Sequence, residues 1–156
     1  MAAYDLMING TEYSVETDPY RPLRDVLRSE VGLTGTKESC DTGVCGVCTV
    51  LVDDMPTKSC LVPVCKAADS EVTTVEGLGS EDDLSTVQQS FVDCFASQCG
   101  YCIPGFVVSA HALLERNPDP STQEIREGLS GNICRCTGYV KIVDAVKDAA
   151  NKGDTA

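Results

Sequence analysis

Four cysteines in the first half of the chain have a spacing that suits metal chemistry. Cys40 and Cys45 are separated by four residues, Cys45 and Cys48 by two, and Cys60 follows at a distance. This order of spacings is one of those that hold a [2Fe–2S] cluster through cysteine thiolates. The pattern therefore predicts an iron–sulfur centre in this part of the chain.

The glycines between these cysteines support the same interpretation. Gly43 and Gly46 can adopt positive φ and allow a close backbone approach, as a loop around an anionic cluster requires. A structural zinc site is the alternative. Zinc usually takes two short Cys/His pairs with about two to four residues inside each pair, and here only Cys45 and Cys48 form one. Spacing therefore favours iron–sulfur over zinc.

The second half of the chain holds another four cysteines, in two pairs. Cys99 and Cys102 precede one predicted helix, and Cys134 and Cys136 precede another. The positive ends and free N–H groups of these helices would stabilise an anionic cluster. Zinc is also compatible with this spacing, so both metal types remain open on spacing alone.

The elements that must position the first set form a small α+β sheet region. Alternating apolar residues and the turn signal Asn9-Gly10 predict a hairpin from Tyr4 to Val15. Three further elements are predicted: a short helix that carries Leu23, Val26 and Leu27, a strand at 49–52 that leads to the turn Asp53-Asp54, and a last strand at 72–75.

A glycine- and acid-rich stretch predicts a linker at 77–83, between domains at 1–76 and 84–156. Beyond it, four amphipathic helices are predicted, with apolar positions that include Phe95 in the first and Tyr139 in the last. Ser121 and Glu124 predict a capping box for the third helix, and Thr137 is the expected cap of the fourth.

Composition excludes several classes of protein. The net charge is −12, with no basic stripe of the kind that nucleic-acid binding requires. No apolar run reaches the roughly 18 residues of a membrane span. The N-terminus has no basic region followed by an apolar core, so export is not expected. Because export is not expected, the ten cysteines are predicted to be reduced thiols in the cytoplasm.

The cysteine motifs, taken together, resemble a known family. The Cys40–Cys60 pattern, QCGYC at 98–102 and GNICRCTGY at 131–139 resemble the small iron–sulfur subunit of the molybdenum hydroxylase (xanthine oxidase) family. The resemblance spans nearly the whole chain. It implies an α+β protein with an N-terminal plant-type ferredoxin-like β-grasp domain, followed by a C-terminal four-helix bundle domain. Each domain is then expected to hold one [2Fe–2S] cluster.

The resemblance also implies a role for individual residues. The first cluster would be held by Cys40, Cys45, Cys48 and Cys60, and the second by Cys99, Cys102, Cys134 and Cys136. Residues that match Gln98 and Cys136 approach the molybdopterin of the large subunit in this family. Cys65 remains an alternative to Cys60, whereas Cys94 is expected to be a buried apolar residue. Ile103 and Val47 depart from the threonine and alanine usual in the family, but neither removes a ligand.

The resemblance implies an electron-transfer subunit with no catalytic residue of its own. Electrons from a molybdopterin centre on a large subunit would pass through both clusters to a flavin, expected on a FAD-binding medium subunit, or to another acceptor. The large subunit is expected to hydroxylate an N-heteroaromatic, a purine or an aldehyde. Open alternatives are a carbon monoxide dehydrogenase or hydroxybenzoyl-CoA reductase partner, a free-standing ferredoxin-like carrier, and a zinc-bound interaction module.

Overall fold

The computed structural model describes residues 1–153, so the last three residues of the predicted second domain lie outside it. Within this range lie one five-stranded mixed sheet and six α-helices. The strands are β1 (Ala2–Ile8), β2 (Thr11–Thr17), β3 (Thr49–Val52), β4 (Met55–Lys58) and β5 (Glu71–Thr73). The helices are α1 (Leu23–Ser29), α2 (Val64–Ala67), α3 (Thr86–Asp93), α4 (Ile103–Arg116), α5 (Thr122–Gly128) and α6 (Val140–Lys152). Short 3-10 helices occur at Ser59–Leu61 and Val75–Gly77.

The predicted N-terminal hairpin is present. β1 and β2 pair antiparallel along their whole length, and Asn9 and Gly10 both have positive φ, at 51° and 72°. Two successive positive φ values define the type I′ turn, whose twist matches that of the strands. Leu6 and Ile8 alternate with outward residues and are fully buried beneath the sheet. The hairpin thus supplies part of the apolar face of the sheet, together with Val50 and Val72 of the other strands.

The sheet has the order β2-β1-β5-β3-β4, with β5 parallel to β1 and antiparallel to β3. Helices α1 and α2 pack against one face and bury Leu23, Val26 and Val64. β4 was not predicted, because Pro56 and the exposed Met55 give it no alternating pattern. The 30–48 loop is fixed at both ends, because it leaves α1, which packs on the sheet, and enters β3, which belongs to the sheet.

Helices α3 to α6 enclose a second apolar core, centred on Phe106, Ile125 and Ile142. Ser121 and Glu124 form the predicted capping box of α5. The expected cap of α6 was wrong: Tyr139 occupies the N-cap position in a left-handed conformation with φ 68°, and no side chain caps this end. The hydroxyl of Thr137 is instead engaged at a cysteine. None of the helices at 1–153 is long and apolar enough to cross a membrane.

Two apolar side chains do not follow the predicted helix stripe. Phe95 lies beyond the end of α3 with φ 51°, and it is 84% exposed. Tyr139 is 41% exposed because it precedes α6 rather than lining its inner face. The helices contact the sheet directly, since Leu51 of β3 packs with Val108 and Ala112 of α4. The sheet and the helical region therefore share a buried apolar contact.

Candidate metal centres

The first set of cysteines surrounds a tightly turned loop. Cys40, Cys45 and Cys48 lie in the 30–48 loop, and Cys60 lies in the 3-10 helix after β4. The thiols of Cys60 and Cys48 interact, which brings the most distant cysteine into the set. The amide of Cys45 donates to the sulfur of Cys40 at 3.4 Å. The structure thus gathers all four predicted residues at one loop.

The loop depends on glycine where it turns. Gly43 and Gly46 have φ of 75° and 73°, a region that side chains other than glycine rarely adopt. A Cβ at Gly43 would lie 2.3 Å from Cδ1 of Leu61, in the 3-10 helix that carries Cys60. The absence of a side chain therefore lets the two cysteine segments approach each other.

The cysteines of the first set have opposite electrostatic environments. Hydrogen bonds from the backbone N–H groups of Cys45 and Thr42 lower the pKa of the Cys40 thiol to about 5. Burial, together with its contact to Cys48, raises the pKa of Cys60 to about 11. N–H donors aimed at sulfur favour the thiolate, whereas crowded thiols oppose full ionisation. A bound cationic metal would resolve this conflict, because metal ligation requires deprotonated sulfur.

Arg24 anchors the segment of the same loop that follows Cys40, a role that the sequence did not reveal. Its side chain is 6% exposed and forms ion pairs with Asp25 and with Asp41, the residue after Cys40. These hydrogen bonds raise the pKa of Arg24 although burial opposes the shift. A buried arginine held by two carboxylates fixes the loop relative to α1.

The second set brings the two predicted pairs together. The sulfur atoms of Cys99 and Cys136 lie 3.5 Å apart, and the thiols of Cys102 and Cys134 interact. Cys102 and Cys134 are each only 8% exposed, whereas Cys99 and Cys136 are exposed. The second set therefore has a buried pair against the helical core and an exposed pair at the surface. Gln98, directly before Cys99, is also exposed.

Two residues that sequence analysis had given other roles support the second set. The hydroxyl of Thr137 donates to the sulfur of Cys134 at 3.0 Å, and its N–H group lies at 3.4 Å from the same sulfur. These bonds lower the pKa of Cys134 although burial opposes the shift. The N–H group of Cys134 donates to the Tyr139 hydroxyl at 3.1 Å. The position of Thr137 directly after Cys136 was the feature of the sequence that could have predicted a hydroxyl donor to a cysteine sulfur.

The arrangement of both sets can be tested against a two-iron cluster. Among residues 1–153, no three Cys, His, Asp or Glu side chains are placed to share a single metal ion. A [2Fe–2S] cluster makes a different demand, because each iron takes only two protein ligands. Two thiolates on one tetrahedral metal lie roughly 3.8 Å apart, for bonds of about 2.3 Å. The separation of 3.5 Å between Cys99 and Cys136 suits such a pair.

The two remaining cysteines lie apart from these loops. Cys65 is in α2, where its amide donates to the carbonyl of Pro19 at 3.2 Å, and its charge contributes after burial to a raised pKa of Tyr4. Cys94 ends α3 and packs at the margin of the helical core, where burial raises its thiol pKa. Neither environment offers the N–H donors that surround Cys40 and Cys134.

Comparison with known proteins covers nearly the whole chain. Residues 6–74 match the family described as "2Fe-2S iron-sulfur cluster binding domain", and residues 74–147 match the "[2Fe-2S] binding domain" family. The nicotinate dehydrogenase small FeS subunit of Eubacterium barkeri is 44% identical over 95% of this chain and 94% of its own length.

Two solved structures share the fold. A chain of quinoline 2-oxidoreductase from Pseudomonas putida 86 superposes with a TM-score of 0.90 at 44% identity, over 97% of both chains. The aldehyde oxidoreductase of Desulfovibrio desulfuricans ATCC 27774 gives a TM-score of 0.94 at 42% identity, over 97% of this chain and 17% of that one. This chain therefore belongs to the small iron–sulfur subunits of the molybdenum hydroxylase (xanthine oxidase) family, which carry electrons through two [2Fe–2S] clusters.

Proposed function

We propose that this chain receives electrons from a molybdopterin centre on a large partner subunit at its second cluster. It then passes them through its first cluster to a flavin or another acceptor. The observation that supports electron entry at the second cluster is the division of the second set into a buried and an exposed pair. Electron entry requires a cluster edge at the surface, and the sulfur atoms of Cys99 and Cys136 form such an edge.

The proposed ligands follow the two loops. The first cluster is held by Cys40, Cys45, Cys48 and Cys60, and the second by Cys99, Cys102, Cys134 and Cys136. Support comes from the sulfur contacts within each set and from the N–H groups that point at Cys40 and Cys134. The chain supplies burial and hydrogen bonds to sulfur, which are the means by which a protein tunes the potential of a cluster.

Gln98 and Cys136 are proposed to contact the molybdopterin of the partner. Both are exposed, and Cys136 lies beside Cys99, the neighbour of Gln98. A glutamine amide both donates and accepts hydrogen bonds, as a pterin edge also does. The side chain can therefore orient the cofactor without binding metal itself.

We further propose a ferredoxin-like β-grasp domain at 1–76, a linker at 77–83 and a four-helix bundle domain at 84–156. The separate apolar cores beneath the sheet and among α3 to α6 support this division. The cytoplasm is the proposed compartment, since none of the ten cysteines, all of which lie within the described residues, forms a disulfide bond.

The substrate of the complex is proposed to be an N-heteroaromatic compound, a purine or an aldehyde. The relatives named above act on nicotinate, quinoline and aldehydes at nearly equal identity to this chain. That equality is consistent with a substrate pocket on another polypeptide. A FAD-binding medium subunit is the proposed electron acceptor.

Metal analysis and reduction kinetics of the co-purified complex test the proposal. We expect two [2Fe–2S] clusters per chain, which corresponds to about four irons and four labile sulfides. Molybdenum should be present in the complex, and added substrate should reduce both clusters. Stoichiometric zinc with little iron, or purification of this chain without any large partner, would contradict the proposal.

A further inference from the structure

Asn132 links the helical region to the loop of the first cysteine set. Its side chain is only 6% exposed. Its Nδ2 group donates to the carbonyl oxygen of Gly46 at 2.9 Å, and its Oδ1 atom accepts from the hydroxyl of Ser109 at 2.7 Å. Both ends of the amide are thus engaged in a buried position, where polar groups need partners.

The first loop and the helical region meet beside Asn132 so closely that their glycines leave no room for side chains. A Cβ at Gly105, near the start of α4, would lie 2.4 Å from the carbonyl oxygen of Gly46. A Cβ at Gly46 would lie 2.3 Å from the carbonyl oxygen of Gly131 and 2.8 Å from Nδ2 of Asn132. The backbone of the first loop therefore rests directly on the helical region. Contacts this close are sensitive to small displacements.

A backbone hydrogen bond next to Asn132 joins the two cysteine sets. The N–H group of Ile133 donates to the carbonyl oxygen of Cys45 at 2.9 Å. Cys45 belongs to the first set, and Ile133 is bonded to Cys134 of the second. One hydrogen bond thus connects a proposed ligand of the first cluster to the residue directly before a proposed ligand of the second. The adjacent bond from Asn132 to Gly46 restrains the same two segments.

We infer that Asn132 is a positioning residue that fixes the distance and the magnetic interaction between the two clusters. The inference rests on the proposed ligand sets. It also rests on the Asn132 amide as the side-chain donor that reaches the first loop from the segment carrying Cys134. Loss of that donor frees the Ile133–Cys45 contact to lengthen, and the clusters then occupy a range of separations.

The variant Asn132→Asp removes the amide donor of this side chain and keeps its shape. Aspartate has nearly the same size and still accepts from Ser109, but it cannot donate to Gly46 when it is ionised, so the spectra are recorded well above the raised pKa that burial gives such a carboxyl. Ser109→Ala is the matched control, because it removes the other buried hydrogen bond of Asn132 and leaves the Gly46 bond in place. Asn132→Ala is a second, uncharged test in case the buried carboxylate prevents assembly.

The measurement is electron paramagnetic resonance of the fully reduced complex, with the distance between the clusters obtained from their dipolar interaction. In the unaltered protein we expect one narrow distance and a resolved interaction between the two signals. Asn132→Asp should broaden the distance distribution and lose the resolved splitting, whereas Ser109→Ala should match the unaltered protein. Iron and labile sulfide are counted in every sample, so that geometry is compared only between fully loaded chains.

Three results would overturn the inference. These are unchanged spectra in the loaded Asn132 variants, equal changes in Ser109→Ala, and no magnetic interaction in the unaltered protein. Failure of the underlying function looks different, because the unaltered protein would then lack two clusters on metal analysis. The two failures are therefore distinguishable from the same set of samples.

Discussion

Thr137 holds the sulfur of Cys134 with two groups at once. Its hydroxyl donates at 3.0 Å and its backbone N–H lies at 3.4 Å from the same sulfur atom. Both bonds stabilise negative charge on that sulfur, as the lowered pKa of the Cys134 thiol shows against the effect of burial. A reduced [2Fe–2S] cluster carries one more negative charge than the oxidised form, so such bonds favour reduction.

Replacing Thr137 by valine should lower the reduction potential of the second cluster. Valine keeps the shape of threonine but loses the hydroxyl donor. A differential loss of roughly 1 kcal/mol corresponds to about 40 mV for one electron. A redox titration followed by electron paramagnetic resonance measures this shift. Thr137→Ser is the matched control and should retain the original potential; an unshifted valine variant would contradict the prediction.

Cys60, and not Cys65, is predicted to complete the first cluster. The thiol of Cys60 interacts with that of Cys48, whereas Cys65 lies on α2 beside Tyr4. Cys60→Ser should lose or strongly alter the spectrum of the first cluster, because serine replaces a thiolate ligand. Cys65→Ser should leave both clusters intact. Visible circular dichroism and iron analysis of both variants decide the point, and the reverse sensitivity would show that the ligand is Cys65.

Gln98→Ala should leave both clusters assembled but slow their reduction by substrate. No metal bond is lost, whereas one hydrogen bond to the proposed cofactor is removed. A bond worth about 0.5–1.5 kcal/mol corresponds to a rate lowered roughly 2- to 12-fold. Stopped-flow reduction of the complex measures the effect. Gln123→Ala is the control, since Gln123 is an exposed glutamine on α5, away from the cysteine motifs. Equal rates in both variants would mean that Gln98 only braces its own loop.

Stability should fall as the pH is lowered through the range where His111 titrates. Burial lowers the pKa of His111 below its ordinary 6.5, and the nearby Glu115 and Asp54 only partly oppose this. Between the lowered pKa of His111 in the folded protein and its ordinary value in the unfolded chain, the unfolded chain binds more protons. The free energy of unfolding therefore rises with pH in this range. The contribution of His111 to stability is complete above about pH 6.5. Protonation is unfavourable in the fold because Nδ1 is buried and has no hydrogen-bond partner among the described residues.

Denaturant unfolding between pH 5.5 and 7.5 measures this dependence. His111→Gln should flatten the slope in this range, because glutamine does not titrate. Its stability relative to the unaltered protein should therefore improve as the pH falls. An identical slope in both proteins would assign the pH dependence to other groups. Samples must be compared at equal iron content, since a bound cluster stabilises the folded chain by itself.

The local parts of the fold were accessible from sequence. The turn at Asn9 and Gly10 and the capping box of Ser121 and Glu124 each depend on neighbouring residues, and both are present. β4 escaped prediction because it forms through pairing with β3, while its own residues include Pro56 and no alternation. The pairing supplies what the segment lacks, so tertiary context decides its structure.

The gathering of the cysteine sets was predicted from spacing and family resemblance, but their supports were not. Thr137 was expected to cap a helix because hydroxyl residues often do so, yet its hydroxyl bonds Cys134 instead. Asn132 attracted no prediction, since its partner Gly46 is 86 positions earlier in the chain. Local patterns identify residues that act on near neighbours. They do not identify a side chain whose partner is set by the packing of distant elements.

The hydrogen bond between Ile133 and Cys45 has a consequence for how the chain matures. Each metal-binding loop forms part of the framework of the other, so filling one loop restricts the other before its own metal arrives. A loop already restricted loses less conformational entropy when it closes. Cluster insertion at the two sites is then cooperative, and by linkage each insertion favours the other equally. Half-filled chains should therefore be scarce during biogenesis, and a partner subunit would encounter chains that are either empty or complete.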